Sequence, residues 1–386
     1  MGHLRRSLKI ARHLVEREPA ASVLVATGSR VAHRFELPES VDYLKLPAIT
    51  KLANDRYVAD GLRLESADVF AVRSAVLQAA VRHYAPDVLL VDRYPLGVSG
   101  ELEPALRTLR SCRPEAQVIL GLRDILDDPK VVSEEWQRKG HQQAIARYYD
   151  RVLVYGDPRV YDIVNEYGLV DPVARMVTFT GYLGEADAGE PAAEVRARLG
   201  VDDRPFAVCT AGGGKDAGHI ANAFLDAMEQ LRGEGWQGLL VTGPCLDERA
   251  RALVTARARL VNVRVETFVA DLPAHLAAAD VAVAMGGYNT MCELLALAVP
   301  AVIIPRTTPR VEQLIRATRF AEIGAVELLH PDHLSGATLQ RAMHRRSAVS
   351  RSKVRAAIGA TTDLRGLDRA AQLLTTPLIR RHALAS

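Results

Sequence analysis

The sequence predicts a parallel, doubly wound α/β protein built from two domains of similar size. Three observations carry that expectation. The chain is 386 residues long, too long for one ordinary core. Short continuous apolar runs alternate with longer segments of helical periodicity. A stretch rich in Gly, Pro and acidic residues, GYLGEADAGEPAAEVRARLGVDDRP (181–205), interrupts the alternation midway. In the first half the helical pattern 3–17 comes first. The strand ASVLVAT (21–27) follows, then the helix 65–84 and the strands DVLLVD (87–92), AQVILGL (116–122), RVLVYG (151–156) and MVTFTG (176–181). In the second half the strands are FAVCTAG (206–212), GLLVTG (238–243), NVRVETF (262–268), DVAVAMG (280–286) and AVIIP (301–305). Helices are expected over 217–232, 247–259, 289–298 and 310–322. The strand runs are continuous rather than alternating, as in parallel strands covered on both faces. The expected division is a first domain over 1–181, a linker over 182–204, a second domain over 205–360 and a C-terminal helix and tail over 361–386.

Composition narrows the function. Apolar residues make up 48% and charged residues 25%, as in water-soluble globular chains, and the net charge is +3. That balance falls short of a nucleic-acid-binding signature, so no nucleic-acid partner is expected. The four cysteines, Cys112, Cys209, Cys245 and Cys292, are widely spaced and form no CxxC, which argues against a zinc site or redox pair. No apolar run reaches 18 residues, and the arginine-rich start lacks a signal core. A cytoplasmic protein is expected, with a peripheral contact to the inner membrane face left open.

The opening, MGHLRRSLKI, puts Gly2 and His3 at the mouth of the first helix with no strand ahead of them. A doubly wound domain begins with a strand. Either the start codon lies one strand too late or this half has lost an edge of its crevice. The first alternative is preferred, because loss of a central strand exposes two ladders.

The sharpest stretch runs from residue 266 to 325. There Met285-Gly286-Gly287-Tyr288-Asn289-Thr290 turns a strand straight into a helix. Glycines let a ligand approach the backbone, and a helix N-terminus offers free N–H groups to a phosphate. Asn289 and Thr290 add donors or cap the helix. Glu293, one turn on, suits the paired hydroxyls of a ribose, or else complements the helix dipole at the surface. A second glycine turn, CTAGGGKDAGH (209–219), holds Gly213, Gly214 and Lys215 before another helix. Arg306 and Arg310 follow the AVIIP strand, either as phosphate ligands or as solvated charges. A nicotinamide or flavin site is disfavoured, because the second strand of neither half ends in an acidic residue and AGGGKDAG misses the GxGxxG spacing. In the first half Asp92, Arg123 and Asp124 fall at the carboxyl ends of strands, where open α/β sheets bind ligands. A His held by an Asp is a competent general base. The alternative is that Asp92 caps a turn and His3 faces water.

Residues 266–325 resemble the donor-binding region of glycosyltransferases with two Rossmann-like domains (the GT-B fold). The likeness is greatest to the N-acetylglucosaminyltransferase family that completes the peptidoglycan lipid precursor. That family's FIxDM, SGAxTxxE and GxPAIxVP segments and its Gln-bearing helix occur in the same order here. They read Phe268-Val269-Ala270-Asp271-Leu272, Gly286-Gly287-Tyr288-Asn289-Thr290-Met291-Cys292-Glu293, Val299-Pro300-Ala301-Val302-Ile303-Ile304-Pro305 and Glu312-Gln313. The whole chain is similar to bacterial glycosyltransferases whose first loop reads GLGHLRR. The resemblance implies that the backbone near Phe268 and Val269 meets the base and that Glu293 holds the ribose. It implies that the Gly286–Thr290 turn binds diphosphate and that Gln313 touches the donor sugar. It also implies a His3–Asp92 dyad. The family's GGxGGH loop is reduced here to Gly2-His3, and Gly287 replaces a Ser or Ala, so acceptor specificity does not transfer.

The resulting expectation is an inverting, metal-independent transferase. Its substrate is a nucleotide-diphosphate sugar, with UDP as the expected nucleotide, and no cofactor is expected. His3 would deprotonate an acceptor hydroxyl, lipid-linked, polysaccharide or natural product, with Asp92 behind it, while helix N-termini and Arg306 stabilise the leaving diphosphate. The rival expectations are a nucleotide-sugar epimerase or hydrolase on the same fold, and a non-catalytic subunit.

Overall fold

The computed structural model describes residues 2–53, 56–212, 217–244 and 246–385; side chains of Ala53, Arg56, Ala217 and residues 377–385 lie outside the described set. The first half begins with α1 (Gly2–Arg17), and no strand precedes it among the described residues. Strands β1 (Val23–Thr27) and β2 (Val41–Lys45) pair in parallel, and β3 (Ile49–Ala53) and β4 (Arg56–Ala59) form an antiparallel hairpin. The helix α2 (Ser66–Tyr84) leads to β5 (Val88–Asp92), α3 (Glu103–Cys112) and β6 (Gln117–Arg123). Helices α4 (Pro129–Lys139) and α5 (His141–Tyr148) precede β7 (Arg151–Tyr155). The short helices α6 (Ile163–Glu166) and α7 (Val173–Met176) precede β8 (Val177–Phe179). Strands β5 to β8 make a four-stranded parallel sheet in chain order. It is separate from β1–β2, and β1 and β5 are not paired with each other. Helix α1 joins the two pieces. Its Leu4, Leu8 and Ala11 pack with Val23, Val25 and Val41, while Ile10 and Leu14 pack in the core shared by Val88 and Leu90.

The second half repeats the plan in one piece. In chain order come α8 (Ala192–Leu199), β9 (Phe206–Thr210), α9 (Ala217–Gln230), β10 (Gln237–Val241), α10 (Glu248–Ala258) and β11 (Val263–Glu266). Then follow α11 (Leu272–Ala278), β12 (Val281–Ala284), α12 (Tyr288–Ala296), β13 (Ala301–Ile303), α13 (Glu312–Glu322) and β14 (Glu327–Leu328). The six strands run parallel in the order β11-β10-β9-β12-β13-β14. The order reverses between β9 and β12, and a ligand crevice opens outside the carboxyl ends of strands at such a point. Every residue of β9 and β12 is buried, which explains the unbroken apolar runs.

Helices α14 (Gly336–Ser347), α15 (Arg351–Gly359) and α16 (Gly366–Ala385) complete the chain. The last returns to the first domain and packs along α1. The chain therefore passes between the domains twice, and the two crossings are bonded to each other. Tyr182 N–H donates to Asp363 O (2.8 Å), Gly366 N–H donates to Tyr182 O (3.0 Å), and Leu183 bridges Arg365 antiparallel. A Cβ on Gly366 would collide with the Gly181 carbonyl oxygen, so this close approach requires glycine.

The ten expected strands are all present. Strand β2, the β3–β4 hairpin, the two-residue β14 and helix α8 add to the sequence reading. Helix α8 lies inside the segment read as bare linker; Pro191 precedes it, Gly200 ends it at φ 69°, and its Val195 is buried.

Candidate functional site

The cleft between the two sheets is lined from the second domain by the β12–α12 turn. Gly286 sits at φ 62°, in the left-handed region that favours glycine, and a Cβ there would be 3.0 Å from Ile303 Cγ2. Gly287 is the extended N-cap of α12, with no side chain capping the helix and open space where its Cβ would be. The N–H groups of the first turn are thus presented bare, as an anion site requires. Asn289 does not cap its helix. Its Nδ2 donates to Gly2 O of the first domain (3.0 Å), so the N-terminal ends of α1 and α12 meet. Tyr288, expected to line the donor site, is buried instead. Its ring stacks on Tyr182 (6.1 Å between centroids) and its hydroxyl accepts from Leu183 N–H (3.3 Å). It belongs to the joint between domains.

Glu293 is not a surface residue: it is 2% exposed. Arg5 Nη2 lies 2.9 Å from its Oε1, and Lys9 Nζ lies 3.6 Å away while also pairing with Glu185 (2.5 Å). Both cations come from α1. Phe268, just beyond the edge strand β11, is 49% exposed, and Val269 packs against the core. Gln313 Oε1 accepts from the Arg306 backbone N–H (3.0 Å), and Glu312 Oε1 lies 3.4 Å from Arg306 Nη2. These contacts hold the loop after β13 against the start of α13. Gly213, Gly214 and Lys215 lie outside the described residues.

From the first domain, His3 and Asp92 come together as the sequence suggests. His3 Nδ1 is 2.6 Å from Asp92 Oδ2. With the proton on Nδ1, Nε2 is left as the basic atom. Arg6, one helical turn from His3, donates to both oxygens of Asp92 (2.6 and 2.8 Å) and is itself 3% exposed. Burial by itself would raise the Asp92 carboxyl; Arg6 and His3 outweigh it and hold the group well below the usual range. The His3 side chain keeps 56% of its surface open. Crowding by the surrounding protein lowers its pKa, Asp92 opposes this, and Arg6 and Arg123 add to the lowering. The ring is therefore neutral at pH 7 and able to take a proton.

A second pair spans the domains beneath the site. Arg316, fully buried on α13, donates from Nε and Nη2 to the two oxygens of Asp124 (2.8 and 2.6 Å), and from Nη1 to Gly286 O (3.1 Å). Asp124 is therefore a clamp rather than a ligand group, and the clamp ends on the anion-binding turn. Sequence reading missed Arg5, Arg6 and Arg316. Arg6 follows His3 and Arg316 follows Gln313 by one turn, so helical spacing is the signal that finds these two, whereas Arg5, two residues from His3, carries no such signal. Among the described residues no three His, Cys, Asp or Glu side chains gather as a metal site.

Residues 207–358 match the family model described as glycosyltransferase family 28 C-terminal domain. Two relatives share the name UDP-N-acetylglucosamine–N-acetylmuramyl-(pentapeptide) pyrophosphoryl-undecaprenol N-acetylglucosamine transferase. The one from Bacillus cytotoxicus is 24% identical over 202 residues, 51% of this chain and 48% of that protein. The one from Rhodopseudomonas palustris is 25% identical over 300 residues, 75% of this chain and 77% of that protein. The chain spans about half the length of the first of these curated relatives. Two solved structures share the fold over nearly the whole chain. The glycotransferase of kitacinnamycin superposes with a TM-score of 0.63 at 19% identity, covering 97% of this chain and 95% of that one. Acinetobacter baumannii MurG gives 0.60 at 13% identity, covering 97% and 96%. With its glycine turn, clamp and His–Asp pair around one cleft, this chain is a GT-B-fold protein related to the MurG family, carrying a glycosyltransferase family 28 C-terminal domain.

Proposed function

We propose that this protein is an inverting glycosyltransferase that moves a sugar from a nucleotide-diphosphate donor to an acceptor hydroxyl. One observation carries the reading: Asn289 donates to Gly2 O, so the bare N-terminus of α12 meets the helix turn that holds His3. A diphosphate at α12 then leaves the sugar carbon facing His3 Nε2. His3 removes the acceptor proton as the hydroxyl attacks, and Asp92 stabilises the imidazolium that forms. The leaving diphosphate is met by the N–H groups of α12 and by Arg306. Glu293 takes the two ribose hydroxyls once Arg5 swings aside, and Phe268 and Val269 flank the base. UDP is the proposed nucleotide and a lipid-linked hydroxyl the first acceptor class, because the relatives' names contain a UDP-sugar and a pyrophosphoryl-undecaprenol acceptor. A peripheral membrane contact goes with that acceptor.

Titration calorimetry with UDP on wild type and Glu293→Ala tests the donor half. Loss of a charged hydrogen-bond acceptor weakens binding by about 1.5–3 kcal/mol, roughly 10- to 150-fold in Kd. Equal affinity in the two proteins removes Glu293 from the site.

A further inference from the structure

The charges facing the cleft do not balance. Arg6, Arg306, Arg310 and Arg316 each have a carboxylate: Asp92 (2.6 Å), Glu312 (3.4 Å), Asp127 (3.7 Å) and Asp124 (2.6 Å). Arg93 and Arg123 form no ion pair with any described residue. They stand at the carboxyl ends of the adjacent strands β5 and β6, on either side of Asp92 and Asp124. Arg93 is held in place at φ 76° by its N–H bond to Gly121 O (2.9 Å), with its guanidinium over the Tyr94 ring at 5.0 Å. The Nε of Arg123 is buried and has no hydrogen-bond partner among the described residues. Burial lowers the pKa of Arg123 to about 9; the charges of Arg93, Arg316 and Arg6 act the same way, and Glu312 opposes them. A half-buried guanidinium whose Nε is shut off from water and whose charge has no ion-pair partner is destabilising unless a ligand supplies one. The neighbours suit a ligand. Tyr57 of the β3–β4 hairpin stands against Tyr94, so an aromatic wall flanks Arg93.

We propose that Arg93 and Arg123 form an anion subsite on the acceptor side of the cleft, which takes a phosphate or carboxylate carried by the acceptor close to its reacting hydroxyl. Forked guanidinium groups match both anions. The assignment to the acceptor rests on the transferase reading above and on position: both arginines belong to the first domain beside His3, whereas the α12 turn offered to the donor diphosphate belongs to the second.

The test titrates inorganic phosphate into wild type, Arg93→Gln, Arg123→Gln and Arg123→Lys, each with and without saturating UDP, alongside UDP titrations of the same proteins. Expected are millimolar phosphate binding that persists with UDP present, a roughly tenfold loss in either Gln variant, partial retention in Arg123→Lys, and UDP affinity within twofold of wild type. The melting temperature of Arg123→Gln is expected to equal or exceed that of wild type, since an uncompensated charge has been removed. Unchanged phosphate binding in Arg123→Gln overturns the subsite, and so does a large drop in its melting temperature, which marks a structural arginine. Parallel loss of phosphate and UDP affinity overturns the acceptor assignment and gives the pair to the donor diphosphate. Phosphate binding that depends on Arg123 in a protein that binds no UDP keeps the subsite and refutes the transferase reading instead.

Discussion

Replacing Asp124 by Asn tests the clamp beneath the anion turn. The pair is almost wholly removed from water, Arg316 at 0% and Asp124 at 1% side-chain exposure, so solvent cannot take over the lost partner. The amide keeps the shape and one acceptor but leaves the guanidinium without a counter-charge. Removing one member of a buried ion pair costs about 3–5 kcal/mol. At about 2–4 °C per kcal/mol for a folding unit of this size, the melting temperature falls by roughly 6–20 °C. The double variant Asp124→Leu/Arg316→Met leaves no buried charge without a partner, and its remaining cost is two backbone groups left unpaired, the Gly286 carbonyl and the Ile125 N–H. It is therefore expected to be more stable than Asp124→Asn. Urea denaturation followed by fluorescence reads this directly, because Trp136 lies in the first domain and Trp236 in the second. A cost under ~1 kcal/mol for Asp124→Asn, or a double variant no more stable than the single, refutes the clamp.

The remaining expectations concern the site itself. His3→Ala lowers turnover by about 10²- to 10⁴-fold, the usual contribution of a general base, with the UDP affinity of wild type; loss of turnover and affinity in step argues against the base role. Asp92→Asn lowers turnover less than His3→Ala does. It also moves the acid limb of the kcat/KM profile to lower pH, because the carboxylate is what raises the imidazole; an acid limb that stays or rises contradicts the pairing. Because Asp92 is held below its ordinary range, it contributes stability in full above about pH 4 and loses it as the pH falls towards the folded value. The stability gap between wild type and Asp92→Asn therefore closes in acid. Gly286→Ala forces a side chain into φ 62° against Ile303 and is expected to cost about 1–2 kcal/mol and to weaken UDP binding; unaltered calorimetry shows that the turn is not where the nucleotide sits.

The parallel strands were legible because burial on both faces makes them continuous apolar runs, as in FAVCT and VAVA, whose every residue is buried. Strand β2, VDYLK, interrupts its apolar residues with Asp42 and ends in Lys45, is half-exposed in a two-stranded sheet and carries no such run. The hairpin ITKLANDRYVA lacks a glycine turn and mixes charge with apolar residues. Within the site, His3 and Asp92 were legible from their places at strand and helix ends. The roles of Tyr288 and Asp124 were not, because each is fixed by a partner far along the chain: Tyr182 for one and Arg316 for the other. Arg5 against Glu293 is likewise a contact between domains, invisible to any local pattern.

The bonded pair of crossings at residues 181–184 and 363–366 has a mechanical consequence. A single linker leaves a domain free to swing and twist about every axis. Two antiparallel segments joined by backbone hydrogen bonds behave as a hinge pin: rotation about the pair is cheap, while sliding or splaying breaks those bonds. Opening of the cleft is thereby reduced to one angle. A swing of one domain from the other separates Arg5 from Glu293 and Asn289 from Gly2 together, since both contacts join α1 to α12.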